Sequence, residues 1–427
     1  MPDSAAFVEY AEPFRRELFA HCYRLLGSVS DAEDLVQETY LRAWRSYEGF
    51  EGRSSMRTWL YRIATNACLT ALAKSTRRML PSGLGAPEPD PEVHPAPADP
   101  EITWLDPVPD TMVVNDTADP AAIVAARAGL RLALIASMQY LPPRQRAVLV
   151  LRDVLEFPAA EVAVMLGTTT VSVKSALQRA RARMEELAPA AEHIIEPTAP
   201  QARALLDQYI AAFENADAAA LERLLVRDAV LEATPMRTWF AGVRTCVPFL
   251  RDRVIGSPGT WRMLPTRANG QPAAVEYVRD EQGAFQAYGV VVLTANRAGI
   301  VRVTSFGDPR LVSVFGGIQN ELEPGYGIQP QTFSLGQCPS DRIASLPLGR
   351  RDGDGQAFQA AQGGMNMPNG LAGELDASGP AQQQTEERLG LDPGQTLAGA
   401  AVNPVAEGKV IDRVTVQVEP VGIRVVP

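Results

Sequence analysis

The stretch between residues 140 and 187 constrains the fold more than any other part of the chain. Its apolar residues recur at helical spacing in three short segments, the second opened by Pro158 and the third set off by Gly167. Thr169 stands where its side chain can cap the third segment. The pattern predicts a helix-turn-helix with a further helix in front of it.

The third segment has a polar face that suits DNA. This face carries Lys174, Ser175, Gln178, Arg179, Arg181 and Arg183, and no acidic residue lies between Thr168 and Met184. A helix of this kind can lie in a major groove, where cations hold phosphates and short polar groups read base edges. An ordinary helical hairpin with a solvated basic face fits the same residues, so both interpretations stay open for this stretch alone.

Composition limits the protein class. The chain has 427 residues, a formal net charge of -10 and 46% hydrophobic residues, which is ordinary for a soluble protein of two to four domains. Its cysteines are scattered, without a CxxC or Cys/His cluster, so we expect reduced thiols, no zinc site and no cofactor. No secretory signal or membrane-length apolar run is present, and we expect a cytoplasmic protein.

Residues 7–80 are predicted to form a wholly helical first domain. A first helical segment runs from Phe7 to Leu26, and Ser30 is the expected N-cap of the next helix, with Glu33 completing a capping box. A later helix interleaves arginines with Trp59 and Tyr61. Such a surface suits single-stranded DNA, whose bases stack on aromatic rings, but buried aromatics beside solvated arginines fit equally well.

Several motifs together resemble one family. They are DAEDLVQETYLRAW at 31–44, RTWLYRIATNACL at 57–69, LPPRQRAVLVLRDV at 141–154 and SALQRARAR at 175–183. In this order they resemble the extracytoplasmic-function (ECF) group of bacterial RNA polymerase sigma factors. The resemblance implies two all-α domains, sigma region 2 at residues 7–80 and sigma region 4, with the helix-turn-helix, at residues 121–188.

The resemblance also implies partners and site residues. RNA polymerase core would bind through its largest-subunit clamp helices and its flap, with Asp34, Gln37 and Glu38 docking the clamp helices. Promoter DNA would be contacted at the minus-ten element, where an unstacked base is captured, and at the minus-thirty-five element. The implied minus-ten residues are Arg53, Ser54, Arg57, Trp59, Arg62 and Asn66, and the implied minus-thirty-five residues are Lys174, Ser175, Gln178 and Arg179.

The segment at residues 81–120 is rich in proline and acidic residues and holds no Lys or Arg. Like charges and prolines predict an extended segment that cannot form a packed core. It is either a plain solubilising linker or, by the resemblance, a nucleic-acid mimic that threads the basic channel of the polymerase. Its apolar island ITWLDPVPD is similar to a signature of sigma factors that carry a C-terminal SnoaL-like domain, and we expect Trp104 and Leu105 to contact that domain.

Residues 198–316 are predicted to form the third domain. Two helices come first, and strand-like runs follow that are separated by turn sequences at Asn269-Gly270, at 280–283 and at 296–299. This order predicts an α+β fold and resembles the SnoaL-like, cystatin-type roll. Residues 317–427 are rich in Gly, Pro and Gln, and we expect a mostly disordered tail without an assigned function.

The role of the roll is left open between two possibilities. It regulates the protein by contacting the linker and region 2, or it binds a small apolar ligand, or both. Catalysis would need a buried carboxylate or histidine; no histidine follows His193, and only Glu232 and Glu276 fall inside predicted strands. We therefore expect no catalytic residue and no enzyme.

Together these observations predict a sigma factor with a built-in regulatory domain, which binds no membrane. Two alternatives stand beside it: a helix-turn-helix transcription factor that binds DNA without polymerase, and a SnoaL-like enzyme tethered to DNA-binding domains.

Overall fold

The computed structural model describes residues 4–52, 54–113, 129–187 and 200–317. The predicted tail beyond residue 317, the start of region 4 at 121–128 and Arg53 lie outside the described residues. No helix of the described part is long and apolar enough to cross a bilayer.

Region 2 is a helical domain, as the sequence predicts. Its helices are α1 (Ser4–Ala11), α2 (Arg15–Leu26), α3 (Val29–Ser46) and α4 (Met56–Leu72). Helix α2 ends at Gly27, which has a left-handed φ of 71°. The expected cap at Ser30 is wrong: Ser28 caps α3, its hydroxyl accepting from the Asp31 amide at 3.4 Å, because the chain turns immediately after Gly27.

The helix-turn-helix is also present. A four-residue helix in the linker, α5 (Asp110–Val113), is followed by α6 (Leu132–Met138), α7 (Pro143–Leu149), α8 (Ala159–Met165) and α9 (Thr170–Leu187). A π-helical turn over Val150–Val154 extends α7. Gly167, with φ of 59°, makes the turn, and the Thr169 hydroxyl accepts from the Ser172 amide at 3.1 Å, which confirms the expected cap.

The third domain has the predicted α+β architecture. Its helices are α10 (Pro200–Glu214), α11 (Ala218–Leu224), α12 (Val243–Phe249) and α13 (Pro309–Val314), and its strands are β1 (Leu225–Thr234), β2 (Trp239–Ala241), β3 (Trp261–Ala268), β4 (Gln271–Arg279), β5 (Phe285–Asn296) and β6 (Gly299–Phe306). The six strands form one sheet in the order β2-β1-β6-β5-β4-β3. Strands β3 to β6 form the expected antiparallel meander, whereas β1 pairs with β6 in parallel and carries β2 at the edge.

The two faces of this sheet have different neighbours. Alternate residues such as Ala274 and Val291 share an apolar core with helices α10 to α12. Their sequence neighbours Val275 and Val292 point the other way and belong to the same apolar core as the helices of regions 2 and 4. Each such side chain stabilises the fold by roughly 1.5–3 kcal/mol, so the sheet is fixed to the sigma domains by its second face.

The described part of the acidic linker forms no core of its own, but its backbone is packed against the roll. Its backbone runs beside β2 and the preceding loop: the Glu88 amide donates to the Trp239 carbonyl at 2.8 Å, and the Ala98 amide donates to the Pro235 carbonyl at 3.1 Å. The short edge strand offers unpaired backbone groups, and these bind the backbone of the linker.

Candidate nucleic-acid interface

The predicted polymerase-docking residues share one stripe of α3. Asp34 and Gln37 are exposed, and Glu38 is partly exposed with one carboxylate oxygen 2.7 Å from the Arg42 guanidinium. Leu41, with 49% of its surface exposed, lies three residues beyond Glu38. The stripe combines carboxylates, an amide and an apolar side chain on an open surface.

Two of the predicted minus-ten residues, Arg57 and Asn66, lie at a contact between the two sigma domains. The Asn66 side-chain amide donates to the Met165 carbonyl of α8 at 3.0 Å, and the Thr58 hydroxyl donates to the Glu161 carboxylate at 3.1 Å. The Arg57 guanidinium lies 4.8 Å from the centre of the Phe157 ring. Helix α4 is thus held against the helix-turn-helix through Thr58 and through two side chains predicted to touch DNA, Arg57 and Asn66.

Of the other predicted minus-ten residues that the structure describes, one is in the core and two are on the surface. Trp59 is only 6% exposed, with its ring 4.7 Å from that of Phe50, so it packs in the core of this arrangement rather than on the expected DNA surface. The reason is that the ring of Phe50, in the loop before α4, packs on the ring of Trp59. Ser54 and Arg62 are exposed as expected.

The predicted minus-thirty-five residues remain accessible. Lys174, Gln178 and Arg179 are exposed and Ser175 is partly buried, while Val173 and Leu177 fix the opposite side of α9 in the core. Two further cations of this helix are paired within the chain: Arg181 with Asp153 at 2.7 Å and Arg183 with Glu186 at 2.6 Å. Lys174 and Arg179, which form no ion pair within the described residues, therefore lie nearer the start of the helix than the paired cations.

The apolar island of the linker lies against region 2. The Leu105 amide donates to the Met79 carbonyl at 3.0 Å, and Arg78 donates to the Trp104 carbonyl at 2.8 Å. The Leu105 side chain is fully buried beside Gly27, which has no room for a Cβ. Contact of Trp104 and Leu105 with the roll therefore stays a prediction, and other residues join the linker to the roll.

Asn269, in the turn between β3 and β4, joins all parts of the described chain. It is fully buried at φ of 55° in the predicted Asn-Gly hairpin. Its side-chain amide donates to the Tyr23 hydroxyl of region 2 and to the Leu130 carbonyl before α6, both at 2.8 Å. Its oxygen accepts from the Val108 amide of the linker at 2.9 Å, and its own backbone amide donates to the Val108 carbonyl at 2.9 Å.

Neighbouring contacts reinforce this junction. Asp110 in the linker accepts from Arg267 at 2.7 Å and from the Gly270 amide at 2.7 Å. Gln271 accepts from the Leu132 amide at 3.0 Å. The sequence predicts only a hairpin at this turn. The Asn-Gly dipeptide is the one local signal, and it does not show that the turn is buried between domains.

Glu232, one of the two strand carboxylates, serves the packing of the linker. It is 1% exposed, and its oxygens accept from Arg302 at 2.8 Å, from the Thr304 hydroxyl at 3.1 Å and from the Ser82 amide of the linker at 3.0 Å. The cation and the two further donors occupy both carboxylate oxygens, so Glu232 joins β1 to β6 and to the linker.

Glu276, the other strand carboxylate, has a different environment. It is buried beneath α10 and accepts a hydrogen bond from the Ser305 hydroxyl at 2.7 Å. Desolvation by burial raises the pKa of Glu276 to about 7, against a smaller lowering effect of the Ser305 hydrogen bond. Burial also raises the pKa of Tyr209, and the nearby Glu276 adds to that effect.

Comparison with known proteins agrees with the two sigma domains. Residues 11–78 match the family model for Sigma-70 region 2, and residues 131–184 match that for Sigma-70, region 4. The chain is 49% identical over 314 residues to the ECF RNA polymerase sigma factor SigG of Mycobacterium tuberculosis, covering 73% of this chain and 83% of SigG. The chain belongs to the ECF sigma factors.

Other relatives of this ECF sigma factor are more distant. The SigJ sigma factor of Mycobacterium tuberculosis is 34% identical over 171 residues, which is 40% of this chain and 47% of SigJ. The crystal structure of SigJ aligns at 22% identity with a TM-score of 0.48, covering 73% of this chain and 100% of that one.

The buried Glu276 makes the stability of this sigma factor depend on pH. Its folded-state pKa of about 7 exceeds the ordinary 4.5, so its stabilising contribution is complete below about pH 4.5 and is lost as the pH rises through 7. Glu276→Gln should therefore gain stability relative to the wild type across this range, by roughly 3 kcal/mol. Denaturant unfolding at several pH values measures the difference.

The exposed Glu281 provides the control for that experiment. Glu281→Gln should change the free energy of unfolding by no more than about 0.5 kcal/mol, because this side chain is on the surface. A difference between Glu276→Gln and the wild type that does not change with pH would contradict the prediction for Glu276.

Proposed function

We propose that this chain binds RNA polymerase core, directs it to promoters and helps to melt DNA, with the roll as a built-in regulator. The observation that carries the regulatory part is the junction at Asn269, where one turn of the roll bonds to region 2, to the linker and to the segment before α6 of region 4. The chain would act in the cytoplasm, where core polymerase and the chromosome are.

The open stripe of α3 supports the polymerase-binding part of the proposal. Asp34, Gln37 and Glu38 would dock the clamp helices of the largest subunit, and region 4 would bind the flap. Asp34 and Gln37 are exposed within the described residues, so core polymerase can bind this stripe in the arrangement described above.

Promoter recognition requires the two sigma domains to separate. The names of the two elements place them about 25 base pairs apart on the promoter, or about 85 Å at 3.4 Å per base pair. Asn66 of α4 and Met165 of α8 are instead 3.0 Å apart in their hydrogen bond. The described arrangement is therefore closed, and binding both elements means breaking the contact between α4 and α8.

The roll would set the population of this closed arrangement. A domain that binds both sigma domains favours the state in which they touch, and the apparent affinity for polymerase falls with the fraction of open molecules. A small apolar ligand could shift this balance from the roll interior, where Tyr209, Phe213 and Trp261 form an aromatic group. We propose no catalytic role for the roll, because Glu232 is engaged in anchoring the linker and Glu276 is buried with Ser305 as its hydrogen-bond partner.

The central test of the proposed function is transcription with purified components. Full-length chain, mixed with sigma-free core polymerase and a library of duplexes randomised at the minus-ten and minus-thirty-five elements, should yield transcripts enriched for one sequence at each element. Asp34→Ala together with Glu38→Ala should lower core binding at least tenfold, since both carboxylates are removed from the docking stripe.

Each competing function gives its own result in this assay. Enrichment of duplexes by the chain alone, with no core binding and no transcripts, would replace the sigma-factor function with that of a separate DNA-binding regulator. Glu33→Ala is the matched control, because this exposed carboxylate of α3 lies outside the predicted docking set, and core binding should be unchanged.

The regulatory part predicts that loosening the junction activates the protein. Asn269→Ala removes both donors to Tyr23 and Leu130 and leaves buried polar groups unpaired in the closed form, a loss on the order of 1–3 kcal/mol. The open fraction should rise, and the Kd for core polymerase should fall about tenfold. Titration of labelled core polymerase measures this change.

Asn215→Ala is the matched control for that titration. Asn215 is an exposed asparagine of the same domain that bonds only within its own helix region, to the Ala211 carbonyl at 2.7 Å. Melting temperatures of both variants establish that they are folded. A folded Asn269→Ala variant with wild-type affinity for core polymerase would remove the junction from the regulatory account.

A further inference from the structure

One apolar side chain on the helix-turn-helix has no described packing partner and lies on its DNA-reading side. Val171 is 71% exposed, one of five large hydrophobic residues exposed within the described chain. Single exposed hydrophobic residues are common and need no explanation by themselves. The position of Val171 within α9 is what gives it a specific meaning.

Val171 lies on the same side of α9 as the predicted minus-thirty-five residues. Lys174 and Ser175 follow it by three and four residues, and Gln178 follows by seven, which places all four side chains along one stripe of the helix. The opposite side is buried through Val173 and Leu177. The stripe thus begins with an apolar side chain and continues with donors and acceptors.

The first turn of α9 holds Val171 in a defined place. The Thr169 hydroxyl accepts a hydrogen bond from the Ser172 amide at 3.1 Å and donates one to the Ser172 hydroxyl at 3.0 Å. Val171 lies between these two residues in the sequence. A β-branched residue in a helix has one strongly preferred χ1 rotamer. The two methyl groups of Val171 are therefore presented in a fixed direction rather than on a mobile chain.

Residues in the first turn of a recognition helix are those that reach base edges in the major groove. The major-groove edge of thymine differs from the other three bases in carrying a methyl group at C5, which apolar side chains contact. We propose that Val171 is a specificity-determining residue that contacts the 5-methyl group of a thymine in the minus-thirty-five element. This inference rests on the proposed function as a sigma factor.

Lys174 and Arg179 supply the charge that brings this apolar group to DNA. Both are exposed, and within the described residues neither forms an ion pair, in contrast to Arg181 and Arg183. Attraction to phosphates provides affinity without sequence preference, whereas the valine methyl groups add preference at one base pair. The experiment must distinguish contact of Val171 with DNA from contact of Val171 with a protein partner.

The experiment compares sequence preference between holoenzymes. Core polymerase with wild-type chain or with Val171→Ala transcribes a library randomised across the minus-thirty-five element. The wild type should prefer thymine at one position by about fourfold, the factor expected for one buried methyl group, and Val171→Ala should lose that preference alone. Replacing this thymine with deoxyuridine should weaken the wild type about fourfold and leave Val171→Ala unchanged.

Val164→Ala is the matched control, because Val164 is 70% exposed but lies on α8. Its thymine preference should equal that of the wild type. If wild-type holoenzyme enriches a minus-thirty-five sequence but Val171→Ala enriches the identical one, this inference is wrong while the sigma function stands. Weaker polymerase binding by Val171→Ala with unchanged base preference would likewise overturn it in favour of a protein contact. If wild type enriches nothing, the proposed function itself fails.

Discussion

The arrangement of this protein depends on one buried side-chain amide. Asn269 donates to region 2 and to the segment before α6 of region 4, and it accepts from the linker, so each bond ties the roll to a different part of the chain. The Tyr23 hydroxyl that accepts from it donates in turn to the Asp106 carbonyl at 2.7 Å. In a dry interior every one of these groups would be costly if left unpaired, and the four segments are therefore held together as a set.

The elements themselves could be read from the sequence because their signals are local. Apolar periodicity predicts the helices of both sigma domains, Thr169 caps α9 as expected, and the Asn-Gly dipeptide marks the β3–β4 hairpin. The partners of that dipeptide could not be predicted, since Tyr23 and Leu130 lie 246 and 139 positions away from Asn269. Nothing in a local pattern tells a solvent-exposed turn from one inserted between domains.

The linker shows a second limit of local reasoning. Its prolines and carboxylates correctly predict that it forms no core of its own, yet its backbone finds partners on the edge of a sheet formed more than 100 positions later. Trp59 illustrates the same limit in region 2, because an aromatic ring beside arginines suits both DNA and a protein core. Packing against Phe50 decides between them in the described arrangement.

The closed contact between α4 and α8 is the central claim, and a distance measurement tests it most directly. Spin labels are attached at Thr70→Cys and Ala160→Cys, which are exposed positions on these two helices. To keep the labels at these sites, Cys338 is replaced by serine; Cys22, Cys68 and Cys246 are buried. In the protein alone the label sites should lie within about 25 Å, from the helix rise and the contact at Asn66. In holoenzyme bound to a promoter they should move to about 60 Å or more. An equally short distance in both states would contradict the claim that this sigma factor must open to read DNA.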